Sequence, residues 1–347
     1  MRVALGGLEM ANNLFGVDLG TANMKMFSKG EGKVLIEKNT IAIRNKTELY
    51  AFGDDAYAMY EKAPGIIKVS FPVINGVIAD FNNMQRLAEL FIEKNAKNHT
   101  KNCEFVVAVP TDITEVEKRS FYELFIKSKM RPKSVMLCEK PIAAAVGLGL
   151  DVNEPTGVMV VDMGADTTEI SLMSLGGLVL SDLLRVGGNN LDEAIITHIK
   201  RKYSLVIGQK TASGLKMELG SATGADYGTQ IIVGRDVVSG LPVESEISSE
   251  DINEAIKEQL NSICTSIKMI LEKTPPELAK DVIRQGIYLA GGTSNLHDID
   301  KLIEEVTNIK VNLAENAEQC VVRGLNVIVS EKKFQSLAYN LKKKVYN

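Results

Sequence analysis

Asp18 and Asp162 stand 144 residues apart in nearly the same surroundings, VDLGTAN at 17–23 and VDMGADT at 161–167. Each aspartate ends an apolar run that reads as a strand, and each is followed two residues later by glycine. A glycine-rich turn has no Cβ to hold a ligand off, so its backbone N–H groups can close on phosphate oxygens as an anion nest. A single DxG string is most often an ordinary hairpin turn. Two copies in matching strand contexts point to two similar halves, whose turns face each other across a cleft. Paired carboxylates there would repel a nucleotide phosphate unless a divalent cation lay between them. Asp18 and Asp162 therefore imply Mg2+, held through its waters because that ion dehydrates reluctantly.

Two more segments fit such a cleft. YLAGGTSNL at 288–296 has glycines against which a flat base and ribose can lie, although a plain strand-to-helix connection explains it equally well. CEKPIAAAVGLGL at 138–150 is a small-residue helix suited to close packing at a hinge, or to burial between sheets.

The elements that must position these residues alternate strand and helix, an α/β pattern. Strands are predicted at Leu14–Val17, Phe105–Val109, Ser134–Cys138, Val158–Val161 and Ile287–Ala290. Thr114 with Glu117 three residues on forms a capping box for the helix after Pro110. A long helix should span Ser249–Leu271, with Pro275 and Pro276 opening the next one and Gly286 closing it as a left-handed C-cap.

The 347 residues suffice for about two domains, and 45% hydrophobic with 24% charged residues excludes wholesale disorder. A net charge of −4 makes nucleic acid an unexpected partner. The longest apolar stretch, Pro141 to Leu150, is about half of the roughly 20 residues needed to span a bilayer, and the N-terminal segment, interrupted by Glu9, Asn12 and Asn13 and followed by a motif from Phe15, does not read as a signal peptide. Cys103, Cys138, Cys264 and Cys320, and His99, His198 and His297, are scattered without the spacing of a disulfide framework or a zinc site. A cytoplasmic location is expected.

Taken together and in order, the segments resemble the signatures of the actin, Hsp70 and sugar-kinase ATPase superfamily, and within it the bacterial actin family MreB. FGVDLGTAN is similar to its first phosphate loop, VVDMGADTTEISLMSLGGLV to its second, and AVPTDITEVEKRS, VGGNNLDEAI, LEKTPPELAKDVIRQGIYLAGGTSNL and AENAEQCVVRG continue the match over about residues 13–329. The resemblance implies an actin-like ATPase fold with two related halves, each having an RNase H-like core. It implies four subdomains around an ATP and Mg2+ cleft: 1–41 with 75–154, 42–74, 155–190 with 255–330, and 191–254, followed by a tail at 331–347. It further implies head-to-tail self-association into protofilaments, at times with other paralogues, on the inner membrane face, with a bearing on cell shape or motility. Carried over, Gly20, Thr21, Ala22 and Asn23 would surround the phosphates with Gly164, Ala165, Asp166 and Thr167. Gly187, Gly188, Ser213, Lys216, Gly291, Gly292 and Thr293 would border the nucleoside.

The departures from the family fall where hydrolysis should occur. Two glutamates normally precede the proline of the hinge helix, and the second orients the attacking water; here the string is Glu139, Lys140, Pro141. A charged lysine cannot accept a proton, and losing a positioned base typically costs about 10²- to 10⁴-fold. Glu139 remains, one residue out of place. Asp166 stands where the family has a bare glycine facing the terminal phosphate, so Lys140 and Asp166 could form a compensating pair, or be two independent drifts. Either way hydrolysis should be weak or very slow, the pattern of a specialised paralogue such as those of wall-less, swimming bacteria. Ser213 replaces a glutamate able to bind the ribose hydroxyls, which leaves that contact to water.

In the tail, Phe334, Leu337, Ala338, Leu341 and Val345 recur on one helical face with Lys332, Lys333, Lys342, Lys343 and Lys344 beside it. Such a helix would either touch an anionic membrane surface or pack on the body. A small-molecule phosphotransferase of the sugar-kinase branch is the alternative function, but it needs a carboxylate base for which only Glu139 is at hand. An Hsp70-like chaperone would need a peptide-binding domain, for which the residues after Gly324 are too few.

Overall fold

The two DxG strings are the central strands of two five-stranded sheets built to one plan. The computed structural model describes residues 14–28, 33–95 and 103–341. The first half opens with β1 (Leu14–Leu19), β2 (Asn23–Ser28) and β3 (Lys33–Lys38). A small sheet follows, of β4 (Ile41–Arg44), β5 (Glu48–Phe52) and, beyond α1 (Gly53–Ala58), β6 (Ile67–Ser70). The hairpin β7 (Val73–Ile74) and β8 (Val77–Ile78) leads to α2 (Phe81–Asn95), β9 (Glu104–Val109), α3 (Glu115–Ile126), β10 (Ser134–Glu139) and α4 (Lys140–Gly147).

The second half begins with β11 (Val158–Met163), β12 (Thr168–Ser174), β13 (Gly177–Leu184) and α5 (Gly188–Tyr203). Then come β14 (Leu205–Val206), α6 (Gln209–Leu219), β15 (Thr229–Asp236) and β16 (Pro242–Ser248). It closes with α7 (Ser249–Lys273), α8 (Pro276–Gln285), β17 (Ile287–Ala290), α9 (Ile299–Thr307), β18 (Val311–Leu313) and α10 (Cys320–Ser330).

The large sheets run β3-β2-β1-β9-β10 and β13-β12-β11-β17-β18, antiparallel on the hairpin side and parallel on the other in both. β1 and β9 are buried along their whole length, as strands covered on both faces must be. Each half has its own apolar core, one around Phe105, Phe121 and Phe125, the other around Ile195, Ile256 and Leu289. Between them α4 and α10 cross. A Cβ on Gly147 would collide with the Cys320 carbonyl, and one on Gly324 with that of Ala143, so only glycine permits this approach. The small-residue helix thus packs as its composition predicts.

The predicted strands are all present, and the capping box of Thr114 and Glu117 forms in full. Gly286 does end α8, but at φ 89° and ψ 176°, an extended mirror conformation open essentially to glycine alone rather than the left-handed helical turn expected.

The tail differs more. Residues Lys332–Leu337 make a 3-10 turn, not an α-helix, and Phe334, Leu337 and Ala338 are buried against α4 and α10. Tyr339 then exchanges backbone hydrogen bonds with Leu137 at 2.8 and 2.9 Å, adding an antiparallel bridge beside β10. Apolar residues three apart suit a 3-10 turn as well as an α-helix, and the body supplies their cover. The apolar face foreseen for a membrane is therefore occupied as far as Leu341; Lys342, Lys343, Lys344 and Val345 lie outside the described residues. Among the described residues no helix is long and apolar enough to cross a membrane.

Candidate functional site

The two DxG turns close alike: Gly20 N donates to Asn23 O at 3.0 Å, and Gly164 N to Thr167 O at 2.7 Å. They line one cleft of about 790 Å3 between the halves, with Asp18, Gly20, Thr21, Ala22 and Asn23 on one wall and Asp162, Gly164, Ala165, Asp166 and Thr167 on the other. Lys140, Gly188, Ser213, Lys216, Gly291, Gly292 and Thr293 line it too. Thr293 Oγ1 donates to Gly164 O at 2.7 Å, and Lys216 Nζ to Gly188 O at 2.8 Å, so the proposed nucleoside border is tied to the second phosphate turn. Lys216 also pairs with Asp192 Oδ1 at 2.7 Å.

Two candidates stand apart. Gly187 caps α5 behind the second turn, where a Cβ would strike Ala165 O, so it supports the turn without lining the cleft. Glu139 ends β10 at the N-cap of α4 rather than lying within a helix, and it faces the tail's Tyr339, whose phenol is held upward by burial and by that carboxylate. It is not positioned as a base for chemistry in the cleft.

Lys140 and Asp166 are not paired. Lys140 Nζ lies 3.2 Å from Asp18 Oδ1, whereas Asp166 accepts from Asn75 N and Asn189 Nδ2, each at 2.7 Å. The lysine sits at the first position of α4, beside β1, and the nearest buried carboxylate takes it; the half-buried Asp166 finds donors in the β7–β8 turn and in the first turn of α5. Register adds a second ammonium. Across the β1–β2 hairpin Asp18 faces Lys25, and across β11–β12 Asp162 faces Glu169, the equivalent position. Lys25 Nζ lies 3.2 Å from Asp18 Oδ2.

These charges set one another. Burial works against a charged Asp18, but Lys140 and Lys25 outweigh it and hold the carboxyl below its ordinary value. Lys140 is buried too, and Asp18, Glu169 and Asp162 raise it above the usual lysine range. Asp162 is raised by burial, only partly offset by Lys140. Burial likewise pushes Glu169 up to about 8, although it accepts hydrogen bonds from Thr111 N and Oγ1 at 3.2 and 3.3 Å. The cleft floor thus holds two ammoniums against two acidic side chains and a third carboxyl that is readily neutral. That donor set does not fit the Mg2+ expected between Asp18 and Asp162, since both oxygens of Asp18 already face cations.

A family model described as MreB/Mbl protein matches residues 12–336. The chain belongs to this family. It is 40% identical over 317 residues to the cell shape-determining protein Mbl of Bacillus cereus, covering 90% of this chain and 95% of that protein. It is 40% identical over 323 residues to the cell shape-determining protein MreB of Escherichia coli K12, covering 91% and 92%. Among solved structures, MreB 5 of Spiroplasma citri bound to AMPPNP superposes with a TM-score of 0.87 at 34% identity, covering 93% of this chain and 97% of that one. The fold is therefore the actin-like ATPase fold, here in a divergent MreB/Mbl paralogue. Sequence reasoning missed Lys25, Tyr60 and Gln209, which line this MreB/Mbl cleft, and Glu169, which is buried behind it. Lys25 and Glu169 were signalled by the repeat itself, each lying seven residues after its aspartate; Tyr60 and Gln209 carry no local signal.

Proposed function

We propose that this protein is an ATP-binding, filament-forming subunit of the bacterial actin-like cytoskeleton, concerned with cell shape or motility, whose hydrolysis of ATP is weak. The observation that carries the reading is the pair of equivalent glycine turns facing one cleft, with Lys140 where a water-orienting carboxylate would stand. The turns offer N–H groups to phosphates, and Gly188, Gly291 and Gly292 leave room for the nucleoside. The AMPPNP and ADP named with the Spiroplasma citri structures support a nucleotide as ligand. Of the carboxylates nearest the equivalent position, Asp18 is ion-paired to two lysines, Asp166 accepts from Asn75 and Asn189, and Glu139 is turned away, so none of these three stands ready to orient water. The nucleotide is proposed without a resident divalent ion, because both Asp18 oxygens are already engaged.

In this reading the two five-stranded sheets and the two three-stranded ones, β5-β4-β6 and β14-β15-β16, mark four subdomains with the boundaries given above, bound nucleotide holds the halves together, and the closed form self-associates into protofilaments, alone or with paralogues. Membrane contact through the tail is confined to residues after Leu341. Electron microscopy with ATP, run beside phosphate release and pelleting, tests this: filaments with slow release support it. A monomer that consumes ATP only with a sugar acceptor would favour the phosphotransferase reading, and brisk phosphate release would overturn the claim of impaired catalysis.

A further inference from the structure

We infer that Lys25 and Lys140 take the place of the divalent cation in this cleft, so that nucleotide binding is independent of Mg2+. The inference rests on the nucleotide reading above and concerns how the phosphates are neutralised.

The geometry carries it. Each oxygen of the buried Asp18 lies 3.2 Å from one ammonium, Lys25 Nζ on Oδ2 and Lys140 Nζ on Oδ1. Both lysine side chains keep only 12% of their surface exposed, and what they expose faces the cleft they line. They arrive by separate routes, Lys25 from across the β1–β2 hairpin and Lys140 from the first turn of α4, so neither position forces the other. Two buried cations on one carboxylate leave an excess positive charge, balanced by Asp162 on the facing wall. A divalent ion entering here would meet ammoniums on one of its two acidic ligands and gain little net attraction. Phosphate oxygens meet the opposite situation: two ammoniums, the N-terminal dipole of α4 and the N–H groups of both glycine turns all favour negative charge.

The repeat sharpens the contrast. At the equivalent position of the second half stands Glu169, not lysine, so the positive charge is concentrated on the Asp18 side. A lysine at the start of a helix opposes the helix dipole and persists here because Asp18 compensates it. Lys140 thus acts twice in this arrangement: the cation that removes the base also supplies charge that a metal would bring.

Titration of the intact protein with a fluorescent ATP analogue, in excess magnesium chloride and in excess EDTA, tests the inference. The expected dissociation constants agree within about threefold, whereas Lys25→Met combined with Lys140→Glu should make EDTA cost at least about tenfold. Tight binding in magnesium that weakens more than about tenfold in EDTA overturns the inference while leaving the nucleotide reading intact. Binding in neither condition overturns both. A thermal melt of the double variant establishes that it is folded; should it not fold, the wild-type comparison and Lys25→Met alone decide the matter.

Discussion

Lys140 opens α4 with its ammonium on Asp18 and with Glu169 and Asp162 acting on it from the opposite half, so it is held charged at any physiological pH. A permanently protonated group cannot orient water by accepting its proton. Lys140→Glu should therefore raise phosphate release from ATP, assayed with magnesium, by about 10²-fold, the usual worth of a positioned base. Because Asp166 bonds to Asn75 and Asn189 rather than to Lys140, Asp166→Gly should act independently. Its effect on that rate should multiply with that of Lys140→Glu to within about a factor of two, as for sites without shared partners. A double variant far from the product of the singles would restore the compensating pair. The phosphate turns were legible in the sequence because the DxG string recurs in matching strand contexts 144 residues apart. The partner of Lys140 was not, since a long side chain chooses among carboxylates by distances that only the packed sheets define. Lys25 was legible in principle, as the repeat places it opposite Asp18, but its role needed the register.

Helices show the same division between local and packed information. The box at Thr114 and the one at Ser248, whose side chain accepts from Asp251 N, follow from spacing alone. Asp251 does more than cap α7: it accepts from Lys202 and Tyr203 of α5, and these bonds, with those from Ser248, outweigh its burial and hold it well below the carboxylate range. An acid depressed on folding adds stability above its unfolded pKa, and that stability fades as pH falls through and below it. Asp251→Asn should lower the melting temperature by several degrees at pH 7, roughly the effect of 1–2 kcal/mol, and the deficit should shrink below about pH 4. A deficit unchanged by acid would show that the charge is not what matters. At the α4–α10 crossing the decisive contact is with backbone, which no periodicity reveals. Gly324→Ala should cost about 1–3 kcal/mol in thermal or urea unfolding, because Ala143 O cannot retreat within a helix. Gly214, inside α6 with nothing within 4 Å of an added Cβ, provides the opposite case. There Gly214→Ala should stabilise by up to about 1 kcal/mol.

Across the whole molecule the halves meet at the glycine crossing of α4 and α10, through the bonds of Thr111 to Glu169 and of Ser181 to Asp112, and at the cleft mouth. The mouth contacts are few and polar. Tyr60 Oη donates to Gln209 Oε1 at 3.1 Å, Gln209 N to Glu61 Oε1 at 2.9 Å, and Lys210 Nζ to Tyr57 O at 2.6 Å. Asn75 N adds its bond to Asp166 on the phosphate turn. The first three join the β4–β6 side of the first half to the start of α6, and the last joins the β7–β8 turn to the phosphate turn, all at the mouth of the cleft assigned to the nucleotide. A tight apolar hinge with a polar clasp facing it is an arrangement in which opening breaks hydrogen bonds but leaves both cores intact, so the clasp sets how fast a bound nucleotide leaves. Loss of one such bond is worth about 0.5–1.5 kcal/mol, which corresponds to roughly a 2- to 10-fold change in rate. Tyr60→Phe and Gln209→Ala both remove this bond across the mouth while leaving the Gln209 amide on Glu61; the second also loses a bond from Gln209 Nε2 to Asn189 Oδ1 within its own half. Each should speed release of a fluorescent ATP analogue in stopped flow by that factor, and the double variant should be no faster than the faster single, because they share one interaction. Unchanged release in both singles would place the barrier at the hinge instead, where Gly324→Ala would then be the variant that alters it.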